Sequence, residues 1–84
     1  MTWKLVWTGP ALRHMKKLDP QRASRVRSAI KRLSETGHGD VVKLTDVDPP
    51  VWSLRVGDRR VFFVYEEDPS RIQVLSIRRR DQAY

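Results

Sequence analysis

The spacing of apolar residues changes once along the chain, and this change constrains the fold more than any other sequence feature. Between residues 10 and 35, apolar residues recur at helical spacing with basic residues between them. Between residues 52 and 77, they follow the alternating or continuous patterns of β-strands. Because amphipathic helices and a sheet must each bury an apolar face, this order predicts an α+β domain in which the helices cover the sheet.

Glycine and proline mark the ends of the predicted elements in the first half. Residues 3–8 alternate as in a strand, and Gly9-Pro10 ends it with a proline suited to the first position of a helix. Asp19-Pro20 predicts the start of a second helix, because aspartate can cap it and proline fits its first turn. Thr36–Gly39 ends that helix. The first half is therefore predicted to be a strand followed by a helical hairpin.

The second half is predicted to be a sheet. Residues 40–50 are interpreted as a connecting segment because they end in Asp48-Pro49-Pro50. Gly57-Asp58 predicts a tight two-residue turn between strands. Three strands are predicted here, at residues 52–56, 60–65 and 71–77. The full order is β-α-α-β-β-β, in one domain of residues 1–84.

Composition narrows the classes of function. The chain has 84 residues, a net charge of +7 and no cysteine, which excludes disulfides, thiol catalysis and cysteine-based zinc sites. His14 and His38 lack the spacing of a metal site. The longest apolar run, Val61–Tyr65, is far shorter than the roughly 20 residues that span a bilayer. We therefore expect a cytoplasmic protein with no metal, no cofactor and no membrane partner, whose ligand is a polyanion.

The basic residues fall into two groups. Residues 1–43 contain ten basic and three acidic residues, whereas residues 44–84 contain seven of each. The charge on the helices has two interpretations, a solvated face that keeps a small protein soluble or a surface that contacts a polyanion. In the second half, arginines cluster around the Gly57-Asp58 turn and at the end of the last strand.

Two interpretations also apply to these clustered arginines. Arg55, on the opposite side of its strand from the apolar residues, and Arg59-Arg60 could pair with Asp58 or with the Glu66–Asp68 turn. Alternatively they bind phosphate, for which the guanidinium fork is well suited. The ending Arg78–Tyr84 is a candidate phosphate site, and its tyrosine could stack on a base or take part in proton transfer.

With these motifs, the chain resembles the RelE/ParE superfamily of bacterial toxin–antitoxin toxins, most closely its RelE-like branch. The motifs that carry the resemblance are Pro10–Arg13, Lys43-Leu44, Trp52–Val61, and Ile77–Arg80 with the closing Tyr84. The resemblance implies an α+β fold, a small, mostly antiparallel sheet with a two-helix hairpin packed on one face. It also implies a toxin that cleaves mRNA in the ribosomal A site without a metal. The RNA's own 2′-hydroxyl attacks, which leaves a cyclic phosphate and a 5′-hydroxyl.

The resemblance also assigns roles to residues by motif position. Arg60 and Arg79 would stabilise the transition state, and Tyr84 would stack on or orient the target base, so these three form the predicted catalytic set. The predicted RNA-binding residues are Arg55, Arg78, Arg80 and Lys43. Some RelE toxins carry lysines where Val51 and Ser53 stand here. The general base is therefore unassigned, with Asp81 as one candidate.

The resemblance implies several partners. They are a cognate antitoxin, the ribosome with its mRNA, and operator DNA bound by the toxin–antitoxin complex. Two alternatives stay open at this point. One is a ParE-like inhibitor of DNA gyrase that acts by binding, and the other is a non-catalytic RNA-binding module.

Overall fold

Two helices and five strands lie within residues 2–67 and 69–82, the part of the chain that this computed structural model describes. Their bounds are β1 Lys4–Trp7, α1 Gly9–Lys17, α2 Pro20–Thr36, β2 Val41–Lys43, β3 Trp52–Val56, β4 Arg59–Glu67 and β5 Ser70–Arg79. Neither helix in the described part is long and apolar enough to cross a membrane.

All five strands form one sheet in the order β1-β5-β4-β3-β2. The β1–β5 pair is parallel, and the other three pairs are antiparallel. Both helices pack on one face, where Val26, Ile30 and Leu33 of α2 lie in one core with Val61 and Phe63 of β4. The predicted α+β class, with a mostly antiparallel sheet and the helices on one face, is confirmed. The other face of the sheet is called the open face below.

The predicted helix ends are confirmed by their caps. The Asp19 carboxylate accepts a hydrogen bond from the backbone N–H of Arg22 at 2.7 Å, and Pro20 opens α2. Gly37 ends α2 with φ of 77°, a left-handed conformation that glycine adopts without steric cost. The Thr8 hydroxyl caps α1 and also donates to the backbone carbonyl of Val74 at 2.8 Å. This bond ties the start of α1 to the middle of the sheet.

The prediction of a connecting segment over residues 40–50 is wrong at its beginning. Val41–Lys43 forms β2, an edge strand that pairs antiparallel with β3, with Val42 opposite Ser53. Three residues are too few to show an alternating pattern, and the pairing depends on a partner that follows a proline-containing loop. β2 therefore forms because it pairs with β3, and not because its own sequence favours a strand.

A β-bulge between β4 and β5 decides which arginines face which side. Phe62 pairs with Ser76 while Phe63 pairs with Val74, so Leu75 is an extra residue in β5. The extra residue reverses the alternation of β5, because side chains change face with every residue along a regular strand. Consequently Val74 and Ile77 both point into the core although three positions separate them.

Candidate nucleic-acid interface

Three arginines lie side by side on the open face of the sheet. Arg55 of β3 pairs with Arg60 of β4, and Arg60 pairs with Arg78 of β5. Residues directly opposite each other in antiparallel strands share a face, with Cβ atoms about 4.5–5.5 Å apart. The next pair along these strands, Leu54 and Val61, is buried in the core, so the arginines point to the open face. We call Arg55, Arg60 and Arg78 the arginine row.

The arginine row is electrostatically costly for the free protein. Like charges opposite each other on paired strands are destabilising. Within residues 2–67 and 69–82, no carboxylate forms an ion pair with Arg55 or Arg60. Arg59, by contrast, contacts the Asp58 carboxylate at 3.0 Å. The ion-pair interpretation of the hairpin arginines therefore holds for Arg59 but not for Arg55 and Arg60. The arrangement of these two arginines suits an anionic ligand.

A small cavity of about 170 Å³ adjoins this row. Arg55 and Arg60 line it together with Asp40, Val42 and Ser53. Asp40 is a candidate functional residue that the sequence does not reveal, because its pattern predicts only a connecting segment over residues 40–50. Its backbone carbonyl accepts the N–H of Arg55 at 2.9 Å, which holds it beside β3. Only the pairing of β2 with β3, which the sequence pattern does not show, would have placed this carboxylate near the arginines.

Arg79 and Arg80 lie at the end of the sheet. Arg79 pairs with Arg59, which places it on the helix side of the sheet, and its Nε lies 3.7 Å from the Asp81 carboxylate. Arg80 is exposed, and its backbone N–H donates to the Asp58 carbonyl at 2.9 Å. Both still line, with Arg60, a shallow cavity beside the β3–β4 turn. Their predicted roles stay predictions, and the register sets Arg79 on a different face from the arginine row.

Lys43 does not lie in the row. It pairs with Trp52, and its Nζ lies 5.8 Å from the centre of the Trp52 ring, a cation–π contact. This contact is on the helix side of the sheet, where Trp52 packs against the core. Tyr84, the third residue of the predicted catalytic set, lies outside the described residues. The structure thus brings together Arg55, Arg60 and Arg78 from the predicted set.

His14 joins α1 to the end of β5. Its Nδ1 accepts a hydrogen bond from the backbone N–H of Ile77 at 3.0 Å. Burial lowers the pKa of His14 below its ordinary value, and the nearby cations Arg78, Lys17 and Arg13 lower this pKa further. The neutral ring keeps Nδ1 free of hydrogen, as the bond to Ile77 requires. His14 therefore helps to position the strand that carries the terminal arginines.

Acidification is expected to destabilise the protein partly through His14. Because its pKa is lower in the folded chain, the unfolded chain binds the proton more readily. The stabilising contribution is complete above about pH 6.5, the unfolded value, and is lost as the pH falls through the lower folded value. In His14→Asn, the amide oxygen can accept the same N–H without titrating. Its free energy of unfolding, measured with urea, should vary less with pH than that of the wild type.

The matched control for this experiment is His38→Asn, which removes an exposed histidine instead. Its stability should follow the wild-type curve across the same pH range. Parallel curves for the wild type and His14→Asn would show that the Ile77 contact does not couple to protonation.

Comparison with solved structures shows what kind of fold holds these residues. A chain of the archaeal RelE–RelB complex from Pyrococcus horikoshii OT3 matches with a TM-score of 0.80 and 20% sequence identity, covering 99% of this chain and 100% of that one. A chain of the toxin–antitoxin complex RelBE2 from Mycobacterium tuberculosis matches with a TM-score of 0.77 and 20% identity, covering 98% and 95%. No family model and no curated protein matches the sequence. The chain therefore has a RelE-like fold over nearly its whole length.

Proposed function

We propose that this protein is the toxin of a type II toxin–antitoxin system and inhibits translation by cutting mRNA in the ribosomal A site. The observation that carries the proposal is the arginine row, three arginines directly opposite one another on adjacent strands of a RelE-like fold. Such a row is unfavourable in the free protein and becomes favourable when a phosphate chain lies over it. The fold and the motif positions support RNA as that ligand.

The proposed reaction is a metal-independent transesterification within the RNA. The 2′-oxygen forms a bond to the adjacent phosphorus while the bond to the 5′-oxygen of the next nucleotide breaks. A cyclic phosphate and a 5′-hydroxyl result, as the proton of the 2′-hydroxyl is removed and the leaving oxygen gains one. Negative charge builds up on the phosphorane, and preorganised cations directed at it lower the barrier.

The residues have distinct proposed roles in this step. Arg60, at the centre of the row, would stabilise the phosphorane, with Arg55 and Arg78 holding the oxygens on either side. The carboxylates of Asp40 and Asp81 are the candidates for the proton acceptor, because each lines a cavity that also contains Arg60. Motif position adds Arg79 and Tyr84 to the catalytic set and Arg80 and Lys43 to the RNA contacts, and these assignments remain predictions.

The proposed partners follow from the same comparison. The two similar structures are complexes, one of RelE with RelB and one of a toxin with its antitoxin. We propose that a cognate antitoxin binds this chain in the cytoplasm and covers the basic open face. The resulting complex would bind operator DNA, and the basic helices would contact ribosomal RNA when the free toxin enters the ribosome.

Purified protein is expected to cut mRNA on programmed ribosomes. Mapping the mRNA ends should reveal new 5′-hydroxyl termini in the codon that occupies the A site. Naked mRNA under the same conditions is the control, and it should be cut far more slowly because the ribosome orients the strand. Intact mRNA at saturating protein would reject the nuclease proposal. If DNA supercoiling by gyrase were blocked in parallel, the gyrase-inhibitor alternative would replace it.

A further inference from the structure

A second basic cavity lies on the helix side of the sheet, between the end of α1 and the end of β5. It measures about 500 Å³, and the residues on its walls include His14, Lys17, Arg59, Arg79 and Gln82. No aspartate or glutamate of the described part of the chain lines it. Arg78 of the arginine row also lines the cavity, whereas Arg55 and Arg60 do not.

The cavity exists because β1 is shorter than β5. The last pair between these strands is Trp7 with Val74, so the edge of β5 beyond that point has no strand beside it. His14 fills part of this gap and takes the N–H of Ile77 on its Nδ1. The ring hydrogen of the neutral imidazole is then on Nε2, so His14 can offer the cavity a donor.

The polar groups that line the cavity are donors. Lys17 carries an ammonium group and forms no ion pair within the described residues. The Gln82 side-chain carbonyl accepts the backbone N–H of Arg79 at 2.9 Å, which leaves its NH₂ group for a ligand. Arg59 and Arg79 each contact one aspartate outside the cavity, and each guanidinium has further N–H groups. Walls that combine cations and donors without acceptors favour an anion.

We propose that this cavity is a second phosphate-binding site, which holds the RNA backbone next to the phosphate over the arginine row. The inference rests on the proposed nuclease function. Arg78 connects the two sites, because it belongs to the row and also lines the cavity. An RNA strand could therefore pass around the end of β5 and place neighbouring phosphates on both faces. Donors that approach from α1, β4 and β5 suit the tetrahedral oxygens of a phosphate.

The salt dependence of RNA binding tests this site. The ligand is a short oligoribonucleotide with 2′-O-methyl groups, which binds but lacks the attacking hydroxyl. Removing one cation that contacts a phosphate should reduce the slope of log K against log salt by about 0.7 for single strands. We expect this reduction for Lys17→Gln. The matched control is Lys16→Gln, the adjacent exposed lysine of α1, which does not line the cavity and should keep the wild-type slope.

A second measurement locates the anion. Inorganic phosphate, added to the full chain, should shift the NMR signals of the Gln82 side-chain amide and of His14 Nε2. These shifts should be lost in Lys17→Gln and kept in Lys16→Gln. Equal salt slopes for the two variants, or signals that phosphate leaves unchanged, would overturn the proposal. Equal shifts with acetate at the same concentration would also count against it, because they would indicate a site for a protein carboxylate.

These outcomes are separable from those of the ribosome assay. If the slopes differ between the two lysine variants while mRNA stays intact, the phosphate site stands and the nuclease proposal fails. If mRNA is cut while the slopes are equal, only the second site fails.

Discussion

Replacing Arg60 by alanine is expected to lower the rate of mRNA cleavage on ribosomes by about 10²–10³-fold. Arg60 has Arg55 on one side and Arg78 on the other, so it is the residue best placed to meet charge that develops on the phosphorane. Its loss should leave the fold intact. The side chain lies outside the apolar core, and its removal relieves repulsion between like charges on neighbouring strands. Single-turnover cleavage and urea unfolding measure the two effects separately.

The matched control is Arg71→Ala. Arg71 lies on the same face at the far end of β5, where Glu66 pairs with it at 2.9 Å. This variant removes the same charge from the same face, but at a position far from the arginine row. It should therefore keep nearly all the activity. Equal losses in the two variants would mean that only net charge matters. An Arg60→Ala protein that no longer folds would instead assign that arginine a structural role.

Much of the fold could be predicted because its signals are local. The start of α2 depends on Asp19 and its end on Gly37, and both act within a few residues of the helix. A run of β-branched and aromatic residues predicts strand β4, and Val61, Phe62 and Phe63 of this run are all buried. β2 has no comparable signal, because its three residues become a strand only by pairing with β3.

Two of the three arginines in the row, Arg55 and Arg60, could also be placed opposite each other from the sequence. A two-residue turn fixes the register of a hairpin, so Gly57-Asp58 sets Val56 opposite Arg59 and Arg55 opposite Arg60. Gly57 has φ of 58° and is the first residue of the turn, as a type II′ hairpin requires. The position of Arg78 could not be predicted in this way, because it depends on a bulge in β5 that no local motif marks.

The bulge at Leu75 determines which terminal arginine joins the row. If β5 alternated without interruption from Ile72, Arg78 would share the face of Ile72 and Val74, and Arg79 would be on the open face. The extra residue exchanges the two, so Arg78 lies opposite Arg60 and Arg79 lies opposite Arg59. Bulges commonly redirect side chains near functional sites. The resemblance to RelE-like toxins favours Arg79 as the catalytic arginine. The strand register, which places Arg78 opposite Arg60, favours Arg78 instead.

We therefore expect Arg78→Gln to reduce cleavage about 10²-fold or more, as the loss of a preorganised donor does. Arg79→Gln should cost less than about tenfold, because an exposed charge contact is worth at most about 1 kcal/mol. Glutamine removes the charge and keeps most of the side chain that packs against the sheet. Cleavage rates on ribosomes compare the variants, and urea unfolding confirms that both fold. A larger loss for Arg79→Gln would favour motif position over register and would place the reacting phosphate at the end of the sheet.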